Sequence, residues 1–156
     1  MNIKILAVGK IKEQFFKSAI AEFEKRLKPY CSLSVVEVQA ENIYDESLAE
    51  KYKETEAEKL LQYIKQDSFL VTLEIKGKNL SSEEFAKKIK EISSSGINEI
   101  IFVIGGANGL HTKILERSNF KLSFSKMTFT HQMIRLILIE QIYRAYKINL
   151  NEPYHR

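Results

Sequence analysis

Residues 99–105, EIIFVIG, constrain this chain more than any other stretch. The run is short, rich in β-branched residues and almost wholly apolar, so it reads as a buried strand of the kind found in parallel sheets. A buried parallel strand needs helices to cover it, and the rest of the chain offers them. IKILAV (3–8) reads as a strand, followed by a helix over 11–27 that sets Phe15, Phe16, Ile20, Phe23 and Leu27 on one side and is closed by Pro29. LSVVEVQ (33–39) alternates as a strand should, and a long charged helix covers 46–66. FLVTLEI (69–75) is a buried-type strand, after which Ser81 and Glu84 form a capping box opening a helix to Ile92. A short helix over 111–117, a short strand LSF (122–124) and a final helix over 131–148 complete the pattern.

This alternation argues for an α/β fold with a mostly parallel sheet flanked by helices. No repeat, low-complexity tract or linker interrupts it, so 1–156 reads as one domain. Ligands in such sheets bind outside the carboxyl ends of the strands. Three loops lie there, at 74–80, 105–111 and 125–131, and they are expected to gather into one pocket. The middle loop, GGANGLH, places glycines where the most strand-like segment ends, allowing a ligand close to the main chain. It is neither a Walker A loop nor a GxGxxG fingerprint, and a plain tight turn explains it equally well.

With 44% hydrophobic and 28% charged residues among 156, the chain has the composition of a folded globular protein. A single cysteine, Cys31, excludes an internal disulfide framework and fits a reducing cytoplasm. The lysine-interrupted start is unlike a signal-peptide core, and no apolar run reaches the roughly 18 residues of a membrane span. His111, His131 and His155 stand far apart with no cysteine beside them, so no metal is expected. The net charge of +4 resides in residues 121–156, where Lys121, Lys126, Arg135, Arg144, Lys147 and Arg156 face only Glu140 and Glu152. Such an asymmetry points to a polyanionic partner or to a solvated helix face. The final helix is apolar on nearly every side, which fits either a subunit contact or a central core helix. The chain closes on PYHR, an aromatic plane, a titratable imidazole and a cation in succession.

Taken together, VTLEIKGK, FVIGGANGL, LSFSKMTFTHQMIRLILIEQIYRA and the terminal PYHR resemble the RlmH family of bacterial ribosomal RNA large-subunit methyltransferases. The resemblance runs from Met1 to Arg156, with Thr130 standing where relatives often have Pro. It implies a SPOUT-type α/β fold with a C-terminal trefoil knot, and a cytoplasmic homodimer. The implied activity uses S-adenosylmethionine to methylate N3 of a pseudouridine in 23S ribosomal RNA on the assembled ribosome. Cofactor contacts carried over from the family fall on Leu73, Gly105, Gly106, Phe124, Ser125, Lys126, Met127, Thr128, Phe129 and Thr130, within the three loops read from strand ends.

Methyl transfer from a sulfonium demands alignment and exclusion of water, not a covalent nucleophile. The acceptor N–H must still lose a proton, and His155 is the candidate base because an imidazole titrates near neutral pH. Arg144 is a candidate for stabilising the deprotonated imide, and Tyr154 for stacking on the target base. Arg156, Lys126 and Arg135 are the candidate RNA contacts. A side chain at Gly106 is expected to fill cofactor space. Two other readings stay open on the residues alone: a non-enzymatic RNA-binding factor, and a nucleotide-binding enzyme using the glycine loop for phosphate.

Overall fold

The computed structural model describes residues 1–42 and 45–155. Five strands, β1 (Asn2–Val8), β2 (Ser32–Val38), β3 (Phe69–Asn79), β4 (Glu99–Ile104) and β5 (Phe120–Ser123), form one sheet in the order β2-β1-β4-β3-β5. Every pairing in it is parallel. Helices α1 (Gln14–Leu27), α2 (Ala49–Leu61), α3 (Ser82–Ser94), α4 (Thr112–Arg117) and α5 (His131–Asn149) cover both faces.

The period-2 alternation of the strands decides which helix goes where. Ile3, Ile5 and Ala7 of β1, with Ile100, Phe102 and Ile104 of β4, pack among α1, α3 and α5. The intervening Leu6, Val8, Ile101 and Val103 pack against α2 and α4. Both sets of each strand are therefore buried, which is why EIIFVIG carries no polar alternation.

The elements match the sequence reading closely, and the differences have local causes. Helix α1 begins at Gln14 because the preceding loop is held from elsewhere: the Lys12 and Glu13 N–H groups donate to Gln132 Oε1 on α5 (2.8 and 3.3 Å). Phe15 is 65% exposed, and Phe16 is the aromatic residue that enters the core. The charged helix is shorter than read; a 3₁₀ turn at Glu46–Leu48, capped by Asp45, leads into α2. Strand β3 runs on to Asn79 because its far half finds β5 again after a register shift between Leu73 and Lys78. Gly77 permits that approach, since a Cβ there would lie 2.7 Å from the Leu122 backbone. The Ser81–Glu84 capping box is complete, with both reciprocal bonds formed (3.1 and 2.7 Å).

Helix α5 resolves one of the open alternatives. Leu138, Ile139 and Ile142 are fully buried in the core shared with α1, α3 and the sheet. Ile139 is thus a core residue of the chain itself, with no surface left for a subunit contact. The apolar surface that α5 leaves over is modest: Met133 is exposed, and Ile134, Leu136 and Ile137 are half-buried. Among the described residues, no helix is long and apolar enough to cross a membrane.

Candidate active site

The carboxyl ends of β3, β4 and β5 enclose a cleft of 710 Å³, within the range of small-molecule and cofactor sites. Leu73, Glu74, Ile75 and Lys76 form one wall, where β3 has left its first register with β5. Ile104, Gly105 and Gly106 enter from the end of β4, and Leu110 follows from the turn beyond it. Phe124, Ser125 and Met127 to Thr130 close the third side. The three loops read from strand ends thus share one space, and its lining is mainly apolar side chains and backbone. A smaller, polar groove of 570 Å³ between Lys65, Ser68, Arg117 and Asn119 lies at the amino ends of β3 and β5, away from these loops.

The glycines act differently from expectation. The Gly109 N–H donates to the Gly106 carbonyl (3.0 Å), and Gly109 adopts φ +79°. This folds the loop back so tightly that a Cβ on Gly105 would stand 2.8 Å from the Gly109 carbonyl carbon. A Cβ on Gly106 would meet Val8 Cγ1 (3.1 Å) and the Glu56 carboxylate (3.2 and 3.3 Å). The missing Gly106 side chain therefore points beneath the loop, so a substitution there would act by lifting the loop rather than by filling the cleft.

Glu56 went unread because it sits in a helix that looks like a solvated charged face. It is 7% exposed, and its Oε1 accepts from the Glu41 N–H (3.0 Å). Burial raises its carboxyl above the ordinary value, Glu41 adds to that rise, and the bond from the Glu41 N–H opposes it. The carboxylate holds the segment after β2 and fills the space beneath Gly106 that a Cβ there would need.

The third loop is fixed by its own polar side chains. Ser123 Oγ donates to the Ser125 carbonyl (3.0 Å), and Ser125 Oγ accepts from the Met127 N–H (3.0 Å). Thr130 caps α5, its Oγ1 accepting from the Met133 N–H (3.2 Å), at φ −63°. Proline would accept that φ, so the position tolerates either residue, but Thr adds the cap bond. Met127, 75% exposed, and Phe129 offer apolar surface at the cleft rim. Lys126, expected among the cofactor contacts, is exposed and lies outside the cleft lining.

Arg135 requires a correction. It is 0% exposed, its Nη1 ion-pairs with Glu37, and its Nη2 donates to the Gly9 carbonyl (2.9 Å). Glu37 also accepts from the Ile11 N–H (3.1 Å). The guanidinium therefore pins the β1–α1 loop to α5, and burial leaves it no surface for RNA. Sequence reasoning missed this because an Arg in an apolar helix carries no mark of its distant partner.

The C-terminal residues converge on one another, away from the cleft. Arg144 binds Glu140 (Nη2 at 2.6 Å) and lies over the Tyr154 ring at 4.7 Å. The Tyr154 hydroxyl donates to Glu140 (3.0 Å), and its ring meets Tyr143 edge-on at 4.8 Å. His155 Nε2 pairs with Glu83 at the start of α3 (2.7 Å), while its Nδ1 lies 3.4 Å from Arg144. Lys147 and the Tyr30 hydroxyl both bind Glu152. These bonds clasp the tail to α3 and α5, and Arg135, Arg144 and Lys147 are each answered by a carboxylate. Glu140 and Glu152 already stand against the basic count, so among the described residues only Arg135 of the +4 excess is matched, by the distant Glu37, while Lys121 and Lys126 are exposed. Arg156 lies outside the described residues.

Arg144 stands thirteen residues beyond His131 on α5, roughly 20 Å along the helix at 1.5 Å per residue. Arg144, Tyr154 and His155 are not among the residues lining the cleft. Among the described residues, no group of three or more His, Cys, Asp or Glu is placed to hold a metal ion.

Comparison with known proteins matches this architecture. The solved structure of a probable methylase family protein from Haemophilus influenzae Rd KW20 aligns with a TM-score of 0.55 at 15% identity, over 99% of this chain and 70% of that one, a likeness of fold. The family model described as "Predicted SPOUT methyltransferase" matches residues 1–155. A match of that extent takes in the sheet, the cleft and the clasp together, and the chain belongs to the SPOUT methyltransferase family.

Proposed function

We propose that this chain binds S-adenosylmethionine in the cleft and methylates N3 of a pseudouridine in 23S ribosomal RNA, acting as a cytoplasmic homodimer on the assembled ribosome. The observation that carries the reading is the convergence of three backbone-rich loops on one 710 Å³ cleft at the carboxyl strand ends. The residues present suit such a cofactor. Leu73, Leu110 and Phe124 supply apolar walls for an adenine, and the main chain at 105–106 and 125–130 supplies polar groups. When bound, the cofactor supplies a methyl group already activated on a sulfonium.

The chain's own residues then position and enclose. Gly105 and Gly106 bring backbone close to the ligand, Met127 and Phe129 shield it from water, and the exposed Lys126 meets the RNA phosphates; Arg156 is kept as a second candidate RNA contact. The clasp explains why a homodimer belongs to the proposal. His155, Arg144 and Tyr154 are the candidate catalytic groups, yet in one protomer they sit at the far end of α5. A two-fold partner laid along α5 would bring its clasp to this cleft, covering Met133 and Phe15 in the same contact. The C-terminal trefoil knot is part of the same reading, as the threading that would hold loops 105–111 and 125–131 together.

The test is transfer of a radiolabelled methyl group to purified ribosomes lacking the modification, followed by mass mapping of the labelled nucleoside. Label on a 23S pseudouridine is the expected result. Cofactor binding without label on the ribosome would reject the substrate and keep the family.

A further inference from the structure

His131 is the first residue of α5 and lines the cleft. We infer that it is a ligand-contacting residue, an imidazole whose Nε2–H donates to a carbonyl or carboxylate oxygen of the molecule bound there.

Three observations carry this. First, space is made for the ring. Gly9 holds φ +90°, and a Cβ on it would lie 3.1 Å from His131 Cε1, so the end of β1 is shaped to the imidazole. Second, the two ring nitrogens differ. Nδ1 is buried with no partner among the described residues. A buried N–H without an acceptor is rarer and costlier than a bare acceptor. The proton therefore belongs on Nε2, which leaves Nδ1 a lone pair. Third, the surroundings oppose a second proton. Burial lowers the imidazole's proton affinity most; Arg135, one turn along the same helix, and Lys12, on the β1–α1 loop, lower it further. Glu37 on β2 opposes them, but its carboxylate is already engaged by Arg135 and the Ile11 N–H. Glu74 and Lys76 also line the cleft. The ring is neutral at about pH 7, and with its lone pair on the buried Nδ1 the nitrogen left for a ligand is a donor and not a base. A neutral imidazole at a helix N-terminus is suited to an oxygen on which negative charge resides or develops.

The inference rests on the methyltransferase reading and adds to it. The oxygen has two sources: the carboxylate of the cofactor's amino-acid end, or the imide carbonyl of the target base, where charge gathers as its N–H is lost. Where the imide carbonyl is the acceptor, the two histidines divide the work, His155 taking the proton and His131 stabilising the charge left behind.

The experiment combines nitrogen-15 NMR of the wild-type histidines with two variants, His131→Phe and His131→Gln. The amide nitrogen of Gln replaces the Nε2–H donor, and Phe removes it. NMR should show the neutral Nε2–H form at about pH 7, with the His131 signal moved by S-adenosylhomocysteine if the carboxylate is the acceptor. In that case His131→Phe loses about 10- to 100-fold in calorimetric affinity for S-adenosylmethionine, and Gln restores most of it. If the base oxygen is the acceptor, affinity stays and the single-turnover rate on ribosomes falls by about the same factor, again with recovery in Gln. An imidazolium or Nδ1–H form in the spectrum overturns the inference. So does a folded His131→Phe protein with unchanged affinity and rate. A wild-type chain with neither cofactor affinity nor methyl transfer would instead reject the methyltransferase reading, while the NMR tautomer still judges His131 on its own.

Discussion

The two ends of α5 are built from opposite materials. At its N-terminus the cleft is made of backbone, glycine turns and apolar walls, with Glu74, Lys76 and His131 the titratable groups in its lining. At its C-terminus the clasp is nearly all side chain: Tyr154 and Arg144 both bond to Glu140, Arg144 reaches His155, and His155 pairs with Glu83. A backbone-walled cleft recognises a ligand by shape and main-chain hydrogen bonds, which substitutions disturb only through the fold. A side-chain network can lose one member and keep the rest. Binding is therefore expected to depend on the loops, and chemistry on single side chains.

The sharpest way to break this contrast is at Gly105. A valine there would drive its Cβ into the Gly109 backbone, 2.8 Å away, so the turn cannot close. Calorimetry should find no S-adenosylmethionine binding by a Gly105→Val protein whose far-UV circular dichroism is native-like. Retained affinity would mean the turn is not part of the site.

The clasp makes the converse prediction. His155→Ala removes the Glu83 pair and leaves the cleft untouched, so cofactor affinity should be unchanged. Single-turnover methylation of ribosomes should fall by about 10² to 10⁴ if His155 is the base, with partial recovery as pH rises and solvent takes the proton. An undiminished rate would assign His155 to the clasp alone.

A third, smaller effect concerns the pin that ties the β1–α1 loop to α5. Glu37→Gln leaves the fully buried Arg135 without its counter-charge, which should cost about 3 kcal/mol in denaturant unfolding. Binding to ribosomes should keep its salt dependence in that variant, because Arg135 meets no phosphate.

The smallest effect is a pH dependence. Burial raises the Glu56 carboxyl above its unfolded value, so the folded chain holds this proton more tightly than the unfolded one. Its contribution to stability is full below the unfolded carboxylate range and is lost as pH rises through the folded value. Glu56→Gln should therefore be at least as stable as wild type near neutrality and lose that advantage on acidification. Melting curves that stay parallel across pH would show that Glu56 keeps its ordinary proton affinity.

The parts legible in the sequence are those governed by local rules. Strand and helix order followed from apolar periodicity, the α3 start from Ser81 and Glu84, and the cleft from the rule that ligands meet parallel sheets at carboxyl strand ends. The parts not legible depend on partners distant in sequence. Arg135 meets Glu37 across 98 residues, and nothing near either one marks the pair. Glu56 looks solvated until the glycine turn is laid over it. Ile139 was indistinguishable from a subunit contact, because a helix apolar all round does not say which of its neighbours are its own. The β3 extension to Asn79 likewise arose from a second meeting with β5, which pattern alone does not disclose.

The central claim is that the cleft, and not the tail, binds S-adenosylmethionine. Isothermal calorimetry of the chain ending at Pro153 tests it most directly, run beside the full chain with S-adenosylmethionine and with ATP. The account predicts saturable binding of S-adenosylmethionine, with the same affinity in both chains, and no heat from ATP. Loss of binding on removing 154–156 from a chain that stays folded, or a preference for ATP, would contradict it.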